Sequence, residues 1–494
     1  MTATVAARLA EIAAGWAGQD AVIGADGDGV ERVLSWQQLA DGARSVADRL
    51  LAGPGEPAGP RLVAVDAANT PAVVVRLLGV LAAELPVLPL DPRAPAGERR
   101  RLLDFVAREH GPVQVLPGDG DIGEGGEVVA APDGAQPARR RPAAYLLATG
   151  GSSGLPKVVA TPAPLRYDPR RTPSPLQRRA GWQTGQRQLV AGPLHHMAPF
   201  TSCLEGLLDR NTVVLLPVFA PDLLLEQVRD RGIEWLQLTP AHLRSVLQLA
   251  DPRPADFATV RAVLHTAAAC DFVTKKAWLE LLGPRRLFES YGSTEQVGVT
   301  LVRGDEWLAR PGTVGKGFLT QIRILDEVGR RLPAGQVGSV YLRGGRTGAR
   351  ASYLGGISMP TTPDGFVSVG DHGWLDRDGY LFLAPRRTDL INVGGENVYP
   401  AEVEATLLEH PSVLDAMVVG GPDPVFGAVV HARVVLAPAD RPSGTELVRH
   451  CAARLSPYKV PQKVSVVAEV PRSAAGKLER WRPASTQAGA GEGG

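Results

Sequence analysis

Short apolar segments alternate with amphipathic ones along the first part of the chain. Residues 61–67 and 86–90 are apolar on both faces, and residues 71–85 between them have the spacing of a helix. Buried strands that are separated by helices are typical of a largely parallel sheet covered by helices. The pattern therefore predicts an α/β fold.

Different patterns follow in the second half of the chain. Residues 322–344 predict a pair of β-hairpins, with turns at 327–330 and 333–335. Residues 374–384 predict two strands that are joined by a turn around Gly379. From Pro400 onward, helix and strand signals fit a small independent domain of about a hundred residues.

These patterns divide the chain into domains. We expect a large N-terminal domain at 1–387, made of α/β subdomains and a β-barrel-like part. A small, mobile α+β domain is expected at 388–482, followed by a disordered tail at 483–494. The segments 117–141 and 161–179, rich in Gly, Pro and Arg, are predicted to be loops without regular structure.

Composition and charge narrow the function classes. The 494 residues carry a formal net charge of +1, which gives no electrostatic case for a nucleic-acid partner. The three cysteines lack the spacing of a zinc or redox site and favour a reducing compartment. The N-terminus suits a short amphipathic helix rather than a signal peptide, and no apolar run approaches the roughly 20 residues that span a bilayer. We therefore expect a cytoplasmic enzyme.

A Gly/Ser-rich segment that follows an apolar stretch is the sharpest chemical signal. Consecutive glycines let backbone N–H groups converge on an anion, while hydroxyls and a lysine add donors and charge. The spacing does not fit a Walker A loop, and a flexible surface turn is the alternative. The candidate phosphate-binding residues are Thr149, Gly150, Gly151, Ser152, Ser153, Gly154 and Lys157.

This segment resembles the phosphate loop of the adenylate-forming superfamily, which includes acyl-CoA synthetases, luciferases and the adenylation domains of peptide synthetases. Gly150 stands where serine is usual, and Val158 stands where glycine is usual. The Gly-Gly form is similar to a subset of acid–CoA ligases. The resemblance extends over most of the chain.

Further motifs in the same order imply the contacts with ATP. The segment 290–295 resembles the family's nucleotide signature, although a Thr-Glu pair also caps helices. An aspartate that accepts two hydrogen bonds suits ribose, although aspartates are also common in turns. The implied contacts are Tyr291 with adenine, Thr294 with the α-phosphate, Glu295 with Mg²⁺, Asp371 with the ribose hydroxyls and Arg386 with the nucleotide.

The C-terminal motifs imply an alternation between two states. Lys477 lies in a loop that resembles the one with the adenylation lysine, and a plain surface lysine is the alternative. Thr388 occupies the hinge, where Asp or Lys is common in the family. Gly394 and Gly395 match glycines of the coenzyme A tunnel, where a bare backbone leaves room for the pantetheine.

The residues that contact the carboxylic acid substrate are also implied by resemblance. His196 occupies the place of the residue that gates the acyl pocket, although a surface histidine is the alternative. No acid occurs at 198–202, where amino-acid-activating relatives hold the α-ammonium, so we expect a substrate that lacks one. Aryl, alicyclic, terpenoid-like and fatty acids all stay open. The implied pocket positions are Trp235, Thr239, His265, Thr266 and Gly292.

Together these motifs imply an AMP-forming acid–CoA ligase that uses ATP, Mg²⁺, coenzyme A and a small carboxylic acid. No carrier domain follows Lys477, which favours free coenzyme A, and a homodimer is left open. Departures at Thr388, Pro385 and 268–271 keep other readings open. The enzyme could convert supplied acyl-AMP with weak or no adenylation, the chain could be a non-catalytic nucleotide-binding relic, and a luciferase-like oxygenase is a remote third alternative.

Overall fold

The computed structural model describes residues 2–52, 62–118, 127–130, 143–149, 157–162, 165–344, 351–356, 358–384, 391–393, 396–423, 427–438, 441–455, 457–472 and 478. Its α-helices are α1 (Val5–Trp16), α2 (Trp36–Ala52), α3 (Pro71–Ala82), α4 (Ala96–His110), α5 (Pro175–Arg179), α6 (Met197–Leu208), α7 (Pro221–Asp230), α8 (Pro240–Leu249), α9 (Phe272–Leu282), α10 (Gly304–Ala309), α11 (Pro400–Leu408) and α12 (Gly444–Ala452).

The strands of the first half of the chain are β1 (Asp20–Ala25), β2 (Glu31–Ser35), β3 (Leu62–Asp66), β4 (Val87–Leu90), β5 (Val113–Leu116), β6 (Val128–Val129), β7 (Ala143–Thr149), β8 (Lys157–Pro162), β9 (Arg187–Val190), β10 (Thr212–Leu215) and β11 (Trp235–Leu238). Those of the second half are β12 (Ala262–His265), β13 (Leu287–Glu289), β14 (Thr300–Arg303), β15 (Thr313–Gly317), β16 (Thr320–Leu325), β17 (Gly338–Gly344), β18 (Ser352–Tyr353), β19 (His372–Leu375), β20 (Leu381–Ala384), β21 (Ile391–Val393), β22 (Glu396–Val398), β23 (Val413–Asp423), β24 (Gly427–Leu436) and β25 (Lys463–Val466).

The chain forms two units. The larger one comprises Met1–Cys270 and Thr274–Leu383, and the smaller one is built mainly from Ala384–Gly494. The predicted boundary at residues 387 and 388 lies outside the described residues. The α/β class with a large N-terminal and a smaller C-terminal domain is confirmed.

Two sheets build the larger unit. The first has 13 strands in the order β16-β17-β19-β20-β15-β14-β13-β12-β11-β9-β10-β1-β2, and the second has seven in the order β18-β8-β7-β4-β3-β5-β6. The first sheet is parallel from β13 to β1. Helices α1, α2, α3 and α6 supply side chains to an apolar core with residues of both sheets, and α7, α8 and α9 cover the other face of the first sheet.

The antiparallel strands β14–β17, β19 and β20 continue the first sheet. Strand β15 pairs with β14 on one side and with β20 on the other. Strands β16 and β17, which lie between β15 and β20 along the chain, form a hairpin. The predicted hairpin at 322–344 and the predicted strand-turn-strand at 374–384 both occur. The β-barrel-like part is predicted in this region, where the described strands pair antiparallel and continue the first sheet.

Helix α5 corrects the prediction that 161–179 has no regular structure. Ser174 accepts a hydrogen bond from the backbone of Gln177, and the Gln177 side chain accepts one from the backbone of Ser174. This reciprocal cap satisfies two N–H groups that a helix start otherwise leaves unpaired, and Pro175 suits the first helical position. The capping signal lay in the sequence, within a stretch whose proline and arginine content masked it.

The smaller unit has an α+β core of its own. Helices α11 and α12 pack their apolar side chains on strands β23 and β24, with Val403, Leu407 and Leu447 fully buried. Among the described residues of the whole chain, no helix combines the length and the apolar character that crossing a membrane requires.

Candidate active site

The carboxyl ends of the parallel strands gather candidate residues at one edge of the first sheet. The segment with His196 follows β9, Thr239 follows β11, Thr266 follows β12 and the segment that begins at Tyr291 follows β13. Neighbouring parallel strands end at the same edge, and α/β sheets bind ligands there. The sheet therefore explains why motifs a hundred residues apart in sequence occupy one region.

Tyr291 and Asp371 are in direct contact. The Tyr291 hydroxyl donates a hydrogen bond of 2.7 Å to Oδ2 of Asp371. The backbone N–H of Tyr291 donates to Oγ1 of Thr300 on β14 at 3.3 Å, and Asp371 immediately precedes β19. Both side chains are half-buried. The two residues that resemblance assigns to adenine and ribose thus lie side by side.

Lys157 and Glu295 are joined by a residue that the sequence analysis missed. The Tyr353 hydroxyl donates a hydrogen bond to Oε1 of Glu295. Nζ of Lys157 lies 5.3 Å from the centroid of the Tyr353 ring, within the range of a cation–π contact. A cation and an anion therefore meet at one aromatic side chain.

The donor set at Glu295 suits a magnesium ion that arrives with a nucleotide. Among the described residues, no group of three or more His, Cys, Asp and Glu side chains is placed to hold a metal ion. Mg²⁺ is commonly bound by one or two carboxylates together with substrate phosphates and water. The single carboxylate of Glu295 fits that arrangement.

Residues 192–196, the gate segment, end with the predicted gate residue His196 and are held by buried hydrogen bonds. Nδ2 of Asn69 donates to the carbonyls of Gly192 and Leu216, each at 2.9 Å, and Oδ1 of Asn69 accepts from the N–H of Leu194 at 3.0 Å. Asn69 is only 6% exposed. It fixes the backbone directly before the two histidines, and the sequence analysis missed it because no motif marks it.

The two histidines of the gate segment pack against each other. Their ring centroids are 4.4 Å apart, and Nε2 of His195 lies 3.7 Å from Oδ2 of Asp91. Burial lowers the pKa of His195 below its ordinary value, against the opposing effect of Asp91. His196 is half-buried and stands at the N-terminus of α6. Thus Asp91, which directly follows β4, contacts the gate segment.

Gln296 connects the nucleotide segment to the same helix. Its Nε2 donates to the hydroxyl of Tyr145 on β7 at 3.3 Å and lies 3.7 Å from Sδ of Met197, the first residue of α6. Burial raises the pKa of Tyr145 to about 12, so its phenol stays neutral and can donate. The backbone of Gln296 has φ of 54°, a conformation that side chains with Cβ rarely adopt.

Two predicted pocket residues lie in packed interiors instead. Trp235 is the first residue of β11, at the opposite end of the strand from Thr239, and its exposure is 0%. Its indole N–H donates to the carbonyl of Ala180 at 3.1 Å, and its ring packs edge-on against Trp182 at 4.8 Å. The structure therefore gives Trp235 a core role, because its polar atom and its faces are already used.

His265 belongs to a buried charged cluster. Nζ of Lys275 donates to Oε2 of Glu289 at 2.7 Å and also contacts Nε2 of His265. Burial and the Lys275 charge hold the pKa of His265 well below its ordinary range, so the ring is neutral. His265 is 0% exposed, and its described polar contact is with this cluster. The cluster anchors the ends of β12 and β13.

The other pocket positions have mixed surroundings. The Thr239 hydroxyl accepts from the N–H of His242 and so caps α8. Thr266 is half-buried, with its N–H donating to the carbonyl of Leu238, and Gly292 is exposed and pairs with Val299. The assignments of Thr239, Thr266 and Gly292 to the pocket stay predictions, as does the contact of Thr294 with phosphate.

The turn after Thr266 has an unusual backbone. Ala267 has φ of 82°, in a region that glycine adopts far more readily than alanine. The residues that follow, 268–271, stand where the resemblance leads one to expect a Gly-Ala-Pro-like turn. The departure noted in the sequence therefore directly follows an uncommon backbone conformation.

Several predicted residues lie outside the described part of the chain. The structure does describe the residues on either side of segment 150–156 and of segment 473–477, which contains Lys477. Thr149 and Lys157 are paired across β7 and β8, and Arg472 is bridged to Leu478. Arg472 also donates two hydrogen bonds, of 2.9 and 2.6 Å, to Asp415 on β23. The residues outside are Gly150, Gly151, Ser152, Ser153, Gly154, Arg386, Thr388, Gly394, Gly395 and Lys477.

Comparison with known proteins gives concordant relatives. ScoC, a fatty acid–[acyl-carrier-protein] ligase of Streptomyces coeruleorubidus, is 32% identical over 345 residues, covering 68% of this chain and 65% of the relative. A 2-succinylbenzoate–CoA ligase of Bacillus licheniformis is 31% identical over 344 residues, covering 69% of each. The match therefore spans just under two thirds of the length of the first relative.

Solved structures share the fold. The o-succinylbenzoate CoA synthetase of Bacillus subtilis, solved with its acyl-adenylate intermediate, superimposes with a TM-score of 0.76 at 24% identity, over 97% of this chain and 98% of that one. The family model of the AMP-binding enzymes matches residues 9–350, and the model of their C-terminal domain matches 402–477. The chain belongs to the family of AMP-binding enzymes.

Proposed function

We propose that the protein is an ATP-dependent acid–CoA ligase that forms acyl-AMP from a carboxylic acid and then transfers the acyl group to coenzyme A. The contact between Tyr291 and Asp371, together with the group of Lys157, Tyr353 and Glu295, carries this proposal. The larger unit thus contains an aromatic ring, a carboxylate that can accept hydrogen bonds from ribose hydroxyls, a cation and a carboxylate that can bind a metal ion. That set suits a purine nucleotide with its triphosphate.

In the first half-reaction a substrate carboxylate oxygen forms a bond to the α-phosphorus of ATP, and the bond to the β-phosphate oxygen breaks to release pyrophosphate. Two anions must approach, so charge neutralisation dominates the barrier. Lys157 and Lys477 would supply positive charge, and Thr294 a hydrogen bond to the α-phosphate. A magnesium ion held by Glu295 would neutralise charge on the phosphates.

In the second half-reaction a thiolate forms a bond to the acyl carbon, and AMP leaves. Gly394 and Gly395 would line the approach of the thiol, with Thr388 as the hinge that brings this segment into place. Among the relatives one acts on an acyl carrier protein and one on CoA. We favour free coenzyme A because the Gly-Gly form of the phosphate loop is similar to that of acid–CoA ligases.

The proposed substrate lacks an α-ammonium group. Residues 198–202, at the start of α6, contain no carboxylate to bind one. Because Trp235 and His265 lie in packed interiors, we assign the contacts with the carboxylic acid to His196, Thr266, Gly292 and neighbouring positions. These positions leave aryl, alicyclic, terpenoid-like and fatty acids open as substrates.

Product analysis tests the proposal. The purified chain is incubated with ATP, Mg²⁺, coenzyme A and a panel of aryl, alicyclic, terpenoid and fatty acids, with amino acids as the contrasting panel. We expect AMP and acyl-CoA in equal amounts from at least one acid without an α-ammonium group. Release of ADP instead of AMP, or no turnover and no ATP–pyrophosphate exchange with any acid, would refute it.

Lys477→Ala separates the two half-reactions. We expect acyl-AMP formation to fall by roughly two to three orders of magnitude, because one fixed cation aimed at developing charge is worth about 3 to 4 kcal/mol. Thioester formation from supplied acyl-AMP should be spared. Lys463→Ala, an exposed lysine on β25 in the same unit, is the matched control. Equal losses in both half-reactions would contradict the assignment of Lys477.

A further inference from the structure

Tyr353 occupies a defined place beside Lys157, the last of the candidate phosphate-binding residues. It lies on β18, which pairs with β8 so that Tyr353 stands opposite Val159. Side chains two residues apart on a strand share a face, so Lys157 is the diagonal neighbour of Tyr353 on that face. The register of the two strands therefore accounts for the 5.3 Å contact between the Lys157 ammonium and the Tyr353 ring.

The flanking residues fix Tyr353 in this position. Ala351 is 3% exposed, and Leu354 packs against the core of the second sheet. Gly355 has φ of 79°, and a Cβ there would come within 3.2 Å of the Phe105 ring. Glycine at 355 therefore suits the turn that follows Leu354, and Tyr353 lies between a strand pair and this tight turn.

The hydroxyl of Tyr353 reaches across to the first sheet. It donates to Oε1 of Glu295, whose segment follows β13. This bond restrains the Glu295 side chain through one of its two carboxylate oxygens, Oε1. One side chain thus contacts both the ammonium group of Lys157 and the carboxylate that suits a metal ion.

We propose that Tyr353 is a positioning residue that orients Glu295 for the metal ion of a bound metal–ATP complex. This inference rests on the proposed function, since it assigns a metal–nucleotide to the same site. A glutamate side chain that is free to rotate must lose that freedom when it binds a metal. In the wild-type chain Tyr353 has already restricted it, so the metal complex binds without that cost.

Removing the hydroxyl weakens binding of the metal complex selectively. In Tyr353→Phe the ring and its contact with Lys157 remain, and the bond to Glu295 is lost. The rotational freedom regained by Glu295 corresponds to about a tenfold weaker affinity for the metal complex. Affinity for the metal-free nucleotide should stay within about twofold, because Glu295 makes no favourable contact with bare phosphates.

The experiment measures binding without turnover. The α,β-methylene analogue of ATP is titrated into the full chain by calorimetry, once with Mg²⁺ and once with a chelator. Tyr380→Phe is the matched control, since the Tyr380 hydroxyl donates to the carboxylate of Glu306 at 3.4 Å elsewhere in the larger unit. We expect wild-type affinities for Tyr380→Phe and a selective loss with Mg²⁺ for Tyr353→Phe.

A double-mutant cycle with Glu295→Gln separates positioning from folding. If Tyr353 acts through Glu295, adding Tyr353→Phe to Glu295→Gln should change the Mg²⁺-dependent affinity by less than about twofold. Undiminished Mg²⁺-dependent affinity in Tyr353→Phe, equal losses with and without Mg²⁺, or a full tenfold loss in the Glu295→Gln background would each overturn the inference. Failure of the wild-type chain to bind either form would overturn the proposed function, and the inference with it.

Discussion

The positive φ of Ala267 leads to a prediction about stability that has an internal reference. Ala267 is exposed and has φ of 82°. Its Cβ then crowds the following carbonyl oxygen, which costs a residue other than glycine roughly 1–2 kcal/mol. Ala267→Gly removes that Cβ and loses no buried contact.

Glycine also brings an opposing effect. It gives the unfolded chain more freedom and so lowers stability by about 0.5–1 kcal/mol wherever it is introduced. Ala269 is exposed like Ala267 and has an ordinary negative φ, so Ala269→Gly measures this effect alone. We expect Ala267→Gly to gain a net ~0.5–1 kcal/mol and Ala269→Gly to lose about the same.

The difference between the two variants isolates the backbone strain. It should amount to about 1–2 kcal/mol and can be measured from the midpoints of urea unfolding at a shared slope. Both substitutions delete one exposed methyl group within the same turn, so their effects on solvation cancel. If Ala267→Gly is no more stable than Ala269→Gly, the backbone at Ala267 is not strained and the reasoning fails.

Three further outcomes are expected. Tyr291→Phe should raise KM for ATP about tenfold with little change in kcat, because the lost hydrogen bond orients Asp371 and a hydrogen bond to a charged group is worth ~1.5–3 kcal/mol. An unchanged KM for ATP in the ATP–pyrophosphate exchange assay would count against this. Asn69→Ala leaves two carbonyls and one N–H unpaired and should lower the free energy of unfolding by about 2–4 kcal/mol, whereas a loss under ~1 kcal/mol in urea unfolding would contradict it. Burial raises the pKa of Glu205 to about 7, so its contribution to stability is present below its unfolded pKa and is lost as pH rises to about 7. Glu205→Gln should flatten that decline, which is on the order of 2–3 kcal/mol between pH 5 and pH 8 for a shift of this size. Thermal midpoints of the variant that fall between these pH values as far as those of the wild type would refute it.

The sequence predicted the positions of motifs better than the directions of their side chains. The strands at 61–67 and 86–90 and the helix between them occur because apolar runs and their spacing record burial directly. A parallel strand is buried on both faces, so its sequence has no alternation to tell which face a residue occupies. The resemblance alone placed Trp235 and His265 in the pocket, and the sequences of β11 and β12 had no alternation against which to check that placement.

Residues that act through distant partners carried no sequence signal. Tyr353 meets Lys157 through a strand pair whose two members are almost two hundred residues apart, and the stretch before it has no strand pattern. Asn69 is a single polar residue shortly before helix α3, where helix capping is the obvious role to assign to it. Its hydrogen bonds to the gate segment depend on the packing of two sheets, which local patterns do not encode.

The strand order of the first sheet has a consequence for synthesis on the ribosome. Strand β15 pairs with β14 as soon as both have emerged, but its other neighbour, β20, follows on the order of 60 residues later, or roughly 3–12 s at typical elongation rates. During that interval β15 is an open edge that can pair with a strand of another nascent chain. The β16–β17 hairpin emerges first and can close on itself without β15. The nascent chain is therefore most prone to association between Gly317 and Leu381, before the segment that begins with Asp371 has completed both the sheet and the site.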